Sequence, residues 1–329
     1  MKRETASSSR GLPLHLGKGE LWALMAALAY ALNNIFVRAA IRDYDLNDWM
    51  GVSLRAVPTF LFTLVMGLGA RQRNPQAVSP ASNWRLVTML VGYGLLTFVI
   101  ANPLLFAALR AGGVLVASPV TGTQAIWAGL IAALFLHERL NRTMVGGMVI
   151  TVLGIALLAV GQSGDASISP TWWLAVPFAL GTALCWALSG VLVTSAMRQG
   201  VDRFRALAVA TGSGIVALTL LLLFTGDIDV YATTPLMAQI SLLLAGLLNA
   251  VALVSITTAL SLTSVASAST LNSLQIGLAP LFAWLFLGER LGWLMAVGIL
   301  LIAGGVVVVQ RAKSKAERPR TRDEIGSTI

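Results

Sequence analysis

The sequence predicts an all-α polytopic membrane protein, with ten transmembrane helices arranged as two inverted five-helix repeats. Three observations predict it. First, 57% of the 329 residues are hydrophobic, only 11% are charged, and the mean hydropathy is +0.80, whereas a soluble domain carries roughly 25% charged residues. Second, apolar stretches of about 20 residues, long enough to cross a hydrocarbon core of about 30 Å, recur along the chain. Third, a seven-residue segment returns 151 residues later with six identities.

The first 19 residues are polar and basic, with Lys2, Arg3, Arg10 and Lys18, and hold no apolar core of a signal peptide. They are expected to form a tail, and the first span, 21–37, to stay in the mature chain. Spans two and three cover 50–69 and 86–109, span four 114–136, and span five 144–160, where Gly147 and Gly154 form a small-residue face. Such a face lets helices approach closely, within the monomer or between subunits. The second half supplies spans at 173–197, 206–224, 236–260, 265–287 and 294–309, the last with Gly298 and Gly305. The expected organisation is a tail at 1–19, a first repeat at 20–161, a second at 172–310 and a basic tail at 311–329.

The charges orient these spans. With a cytoplasmic amino terminus, eighteen Lys and Arg fall in inside segments and four, Arg38, Arg42, Arg110 and Arg290, fall outside. The positive-inside rule therefore places both termini in the cytoplasm and supports an even number of crossings. Trp22, Trp49, Trp84, Trp172, Trp173 and Trp293 lie near span ends, where amphipathic rings prefer the headgroup zone. The net charge of +9 is thus an orientation signal, and nucleic acid is not an expected partner. A disulfide scaffold is excluded because Cys185 is the only cysteine.

The repeat is explicit in the residues. Leu134-Phe-Leu-His-Glu138-Arg139-Leu140 returns as Leu285-Phe-Leu-Gly-Glu289-Arg290-Leu291, and Gly147 and Gly154 match Gly298 and Gly305 at the same offset of 151. Earlier in the chain the offset is 156, pairing Tyr30-Ala31-Leu32 with Trp186-Ala187-Leu188. Because five is odd, the second copy enters from the opposite side, and a site is expected at the repeat interface near the bilayer midplane. The Leu-Phe-Leu-x-Glu-Arg-Leu run followed by a Gly-rich span in each half resembles the EamA-type branch of the drug/metabolite transporter superfamily, over roughly residues 20 to 310. Arg55 fits the arginine often found in the second span of such proteins. The resemblance is nearest to bacterial aromatic and neutral amino-acid exporters. It implies a multi-pass protein of the cytoplasmic (inner) membrane that exports small metabolites.

Groups near a pseudo-two-fold axis should recur in both halves. Ser118, Thr121 and Gln124 in span four correspond at 151 to Ser269, Asn272 and Gln275 in span nine. A spacing of three residues gives each helix one polar stripe, which must face protein or a water-filled cavity. Two roles are open: lining a substrate cavity, or hydrogen bonding between helices. Tyr30 with Asn33 and Trp186 with Ser189 form a second related pair, and Tyr93, Trp127, Asn102 and Asn249 also lie well inside spans. Each could line a cavity or simply pack. Arg55 is the one charge clearly within a span; it could meet a substrate carboxylate, snorkel, or bond backbone carbonyls at a helix end. Glu138 and Glu289, each beside an arginine, suit a structural role in a turn better than ion coupling. Pro58, Pro103, Pro119, Pro177 and Pro280 interrupt spans and are candidate hinges.

No Asp or Glu stands in the middle of any span, His15 and His137 lie in a tail and a loop, and no phosphate loop, His-Glu-x-x-His pair or Cys/His cluster is present. No cofactor, metal or catalytic residue is expected. A serine nucleophile would have no base midspan. The expected function is secondary transport of a small molecule, an amino acid or related metabolite, by facilitated alternating access. A proton-coupled multidrug antiporter and a channel-like protein are the alternatives. Membrane lipids are the other expected partners, for a monomer or homodimer.

Overall fold

The computed structural model describes residues 17–44, 46–73, 78–124, 126–127, 130–131, 142–163, 170–262 and 271–316. These are almost wholly helical: α1 Lys18–Asp43, α2 Asp48–Arg73, α3 Trp84–Gly94, α4 Asn102–Thr121, α5 Arg142–Ser163, α6 Ala175–Arg198, α7 Arg203–Thr225, α8 Leu236–Leu262, α9 Gln275–Leu287 and α10 Trp293–Ala316. A π-helical stretch, Leu95–Ala101, joins α3 to α4 just before Pro103, whose missing N–H could not continue a regular α-helix. Six helical segments are long and apolar enough to cross a membrane by length and composition, and three shorter apolar helices accompany them. The longest, Trp84–Thr121, contains the third expected span and the start of the fourth. Expected spans four and nine are described only in part, because 132–141 and 263–270 lie outside the described residues.

The starts of α2 and α7 carry side-chain caps. Asp202 accepts the N–H groups of Phe204 and Arg205 at 3.0 and 3.1 Å, and Asn47 accepts those of Trp49 and Met50 at 3.0 and 3.3 Å. Each satisfies backbone donors that no helical carbonyl can reach. Within α4 the backbone breaks at Gly113, where φ is +67° and ψ is −173°. That left-handed conformation suits glycine, and a Cβ there would collide with the Glu289 carboxylate. Gly113 thus separates the third span from the fourth at the end of the bundle that also holds the α1–α2 turn and the loop at 288–292, here termed the Glu289 end.

Helix packing follows the internal duplication. α1 packs on α8 as α6 packs on α3 and α4; α2 packs on α8 as α7 packs on α3; α2 with α7, α4 with α9, and α5 with α10 each pair with their own equivalents. The α5–α10 seam fixes the relative direction of the halves. A Cβ built on Gly154 would lie 2.8 Å from the Gly298 carbonyl oxygen, and one on Gly147 would lie 2.9 Å from that of Gly305. Since Gly147 corresponds to Gly298 and Gly154 to Gly305, the two contacts are exchanged by a two-fold operation, and the equivalent helices run antiparallel. The repeats are therefore inverted. The small-residue faces meet within one chain, where they allow backbones to touch.

The main apolar cluster gathers toward the Glu289 end. Met50, Phe106, Leu109, Val116, Val120, Leu218, Leu222 and Leu242 are each buried in it. Outside the bundle, large apolar side chains such as Val65, Leu153 and Leu300 are exposed, as a lipid-facing surface requires. Trp84, Trp173 and Trp293 are exposed near the first turns of helical segments, positions that suit rings preferring the headgroup zone.

Candidate functional site

Beneath the apolar cluster lies a cavity of about 500 Å³, lined by both repeats. That volume lies within the roughly 300–1,000 Å³ usual for small-molecule sites. Its walls extend toward the end opposite Glu289, where Val193, Leu207, Leu253 and Ile256 contribute.

Two interrupted helices build its centre. After Thr121 the chain leaves the helix at Gly122 and Thr123 and resumes at Gln124; after Asn272 it turns at Ser273 and Leu274 and resumes at Gln275. These breaks coincide at the offset of 151. An interruption in corresponding places of two halves frees backbone groups at membrane depth, which is tolerable where they line a cavity. Thr121, Gln124, Asn272 and Gln275, flanking the breaks, all line it, with Ser118 one turn before. Gly122 sits against Ile276, where a Cβ would overlap that side chain. Pro119 stands just ahead of the first break.

The other walls come from polar positions on continuous helices. Tyr30 and Asn33 on α1, Tyr93 on α3, Asn102 on α4, Trp186 and Ser189 on α6, and Asn249 on α8 line the cavity. Several also tie helices together. Asn249 Nδ2 donates to Thr59 Oγ1 at 3.0 Å, Thr59 Oγ1 donates to the Gly246 carbonyl at 3.2 Å, and Thr97 Oγ1 donates to Ser189 Oγ at 2.9 Å. The two readings of these polar groups are thus both realised, since one side chain can bridge helices and face the cavity. Asn272 Oδ1 is buried without a hydrogen-bond partner among the described residues, leaving an acceptor at the second break.

Arg55 on α2 is 6% exposed and lines the same space. Its Nη1 donates to Asn33 Oδ1 at 3.4 Å, and its guanidinium carbon lies 5.9 Å from the centroid of the Phe106 ring. It is neither at the surface nor paired with a carboxylate among the described residues.

Trp127 is not among the lining residues; its Nε1 is buried with no partner among the described residues. Ser269 and Glu138 lie outside the described residues. Asn34, Thr59, Thr97 and Thr211 line the cavity without having been singled out in the sequence. Thr59 follows Arg55 by one helical turn and Thr97 follows Tyr93 by one, so the i+4 rule was the available signal.

Glu289 sits apart from the cavity. Its carboxylate accepts the N–H groups of Val114 and Leu115 at the helix start after Gly113, and pairs with Arg38 at 3.0 Å. A carboxylate at a helix amino terminus satisfies free donors and meets the positive end of the dipole. The arginine it holds is Arg38, on α1, rather than its sequence neighbour Arg290. Nearby, Arg110 forks onto Asp48 at 2.6 and 3.1 Å.

A sequence profile of the EamA-like transporter family, a membrane transporter family, matches residues 17–160 and 173–311. The chain belongs to the EamA-like transporter family. The profile matches twice, once for each half. No curated protein matches this chain. Among solved structures 28 chains match this EamA-like protein. One, described only as the crystal structure of a protein, superimposes with a TM-score of 0.60 at 15% identity, covering 91% of this chain and 99% of its own. At that identity the likeness shows the fold.

Proposed function

We propose that this EamA-like transporter is a facilitative secondary carrier that exports small metabolites, amino acids foremost, across a cytoplasmic membrane by alternating access. The observation that carries this reading is the paired helix break, which brings Thr121, Gln124, Asn272 and Gln275 together in a cavity between inverted repeats. The amides offer donors and acceptors to a polar head. Tyr30, Tyr93 and Trp186 offer amphipathic rings to an apolar remainder. Facilitated movement is favoured because no span sequence carries Asp or Glu at its middle, the groups through which many proton-coupled carriers work. Both termini are assigned to the cytoplasm from the distribution of Lys and Arg, and export follows from the resemblance to amino-acid exporters. The cavity lies within a single chain, so a monomer suffices.

The test is uptake of labelled amino acids, nucleosides and sugars by proteoliposomes, with and without a pH gradient. Saturable amino-acid flux that ignores the gradient supports the proposal. Silence toward that panel, with efflux of lipophilic cations driven by an imposed pH gradient, overturns it in favour of a multidrug antiporter.

A further inference from the structure

We infer that the cavity selects its substrate by a carboxylate docked on Arg55, so that it accepts small carboxylate-bearing molecules and rejects cations. The inference deepens the transport reading above and rests on it. Arg55 is almost fully buried, and of its five N–H donors one meets an acceptor among the described residues, the 3.4 Å contact to Asn33. The Phe106 ring supports the guanidinium from one side without neutralising it. The three ion pairs of the described residues all lie at the Glu289 end and none includes Arg55. Among the described lining residues Arg55 is also the only ionised side chain; the others are amides, hydroxyls, aromatic rings and aliphatic groups. The described wall of the cavity therefore carries a net positive charge.

A guanidinium keeps its charge at any physiological pH, and its planar fork matches a carboxylate with two parallel hydrogen bonds. Buried away from bulk water with donors to spare, it gains from an anion and repels a cation more strongly than it would in water. Asn33, held in turn to Asn34 Oδ1 at 3.2 Å, fixes one edge of the fork. The remaining donors meet no acceptor among the described residues, on a side chain that lines the cavity. α-Amino acids fall within the class selected in this way, as do small organic acids; their amides and esters, and organic amines, fall outside it.

The test compares proteoliposome flux of glycine, alanine, leucine and phenylalanine with that of their amides, for the wild type, Arg55→Gln and Arg55→Lys. Each transported acid is expected to exceed its amide by roughly ten- to hundredfold, the weight of a charged hydrogen-bonded pair. Arg55→Gln should erase the margin and Arg55→Lys restore part of it. Transport of acids and amides at equal rates by the wild type overturns the Arg55 site while leaving the amino-acid reading in place. If no amino acid moves, that reading falls, and thermal unfolding of the wild type in detergent with acetate, isovalerate and 3-phenylpropionate, against their amides, decides the rest. Stabilisation by the acids alone upholds the site, and no difference overturns it. Neither wild-type comparison depends on a variant folding.

Discussion

The Glu289 carboxylate accepts the backbone N–H of Val114 at 3.1 Å across a separation of 175 residues. One side chain of the second repeat thus caps a helix of the first and holds Arg38 of α1. Removing it leaves the Val114 and Leu115 donors without their acceptor and Arg38 without its counter-charge. Glu289→Ala is expected to destabilise the folded protein by about 1–3 kcal/mol. Glu289→Gln, which keeps an acceptor oxygen, should lose less. Thermal unfolding of the purified variants in detergent checks the order; equal losses would show that the charge alone matters.

The α5–α10 seam should tolerate no side chain. A Cβ on Gly298 would lie 2.7 Å from the Leu158 nitrogen, so the obstacle is backbone rather than a movable rotamer. Gly298→Leu and Gly154→Leu are expected to cost about 1–3 kcal/mol or more through forced separation of the helices. Gly146, which a Cβ would leave in open space, is the control: Gly146→Ala should unfold at the wild-type temperature.

Gln124 and Gln275 stand at the resumption of the two broken helices. Gln124→Ala and Gln275→Ala are each expected to lower transport by roughly tenfold, the value of one lost hydrogen bond in a dry site, at normal membrane expression. Wild-type rates in both variants would remove the breaks from the substrate site.

The Thr97–Ser189 contact joins the first repeat to α6 at 2.9 Å between hydroxyl oxygens. In a Cys185→Ser background, the pair Thr97→Cys and Ser189→Cys is expected to form an intramolecular disulfide under mild oxidant, because side chains so close can meet the reach of an S–S bond. Mobility on a non-reducing gel reads it. Thr97→Cys with Ser195→Cys, on the same helix but more than a turn away, should remain reduced.

The architecture was legible because duplication is written in the residues themselves. The run ending at Leu140 and its copy ending at Leu291 set the register, and that register aligns the glycine seam and the helix breaks. Polarity at low background also picked out Asn33, Gln124 and Gln275, since an amide inside an apolar span is conspicuous. Thr59, Thr97 and Thr211 were harder to see, because threonine can bond its own helix and so needs no cavity to be comfortable in a span. Thr63 does so, donating to the Thr59 carbonyl at 2.9 Å. The Glu289–Arg38 pair was invisible for another reason. With Arg290 adjacent in sequence, nothing local pointed 251 residues away, and only the packing of α1 against the second half brings them together. Trp127 looked as central as Trp186, yet two aromatic residues at midspan can face opposite ways when their helices are turned differently about their axes.

A chain folded about its own two-fold carries an unusual energy balance. In the proposed cycle, the form open to one side and the form open to the other are assembled from the same pairs of helices with the halves exchanged. Their free energies can then differ only through positions where the two copies differ. Arg38 is such a position: the residue 156 further along is Thr194, whereas Glu289 has its counterpart in Glu138. The position equivalent to Arg38 in the other half thus carries no arginine. Which side the resting cavity faces is decided by mismatches of this kind, a few side chains tipping a scale that the shared fold leaves level.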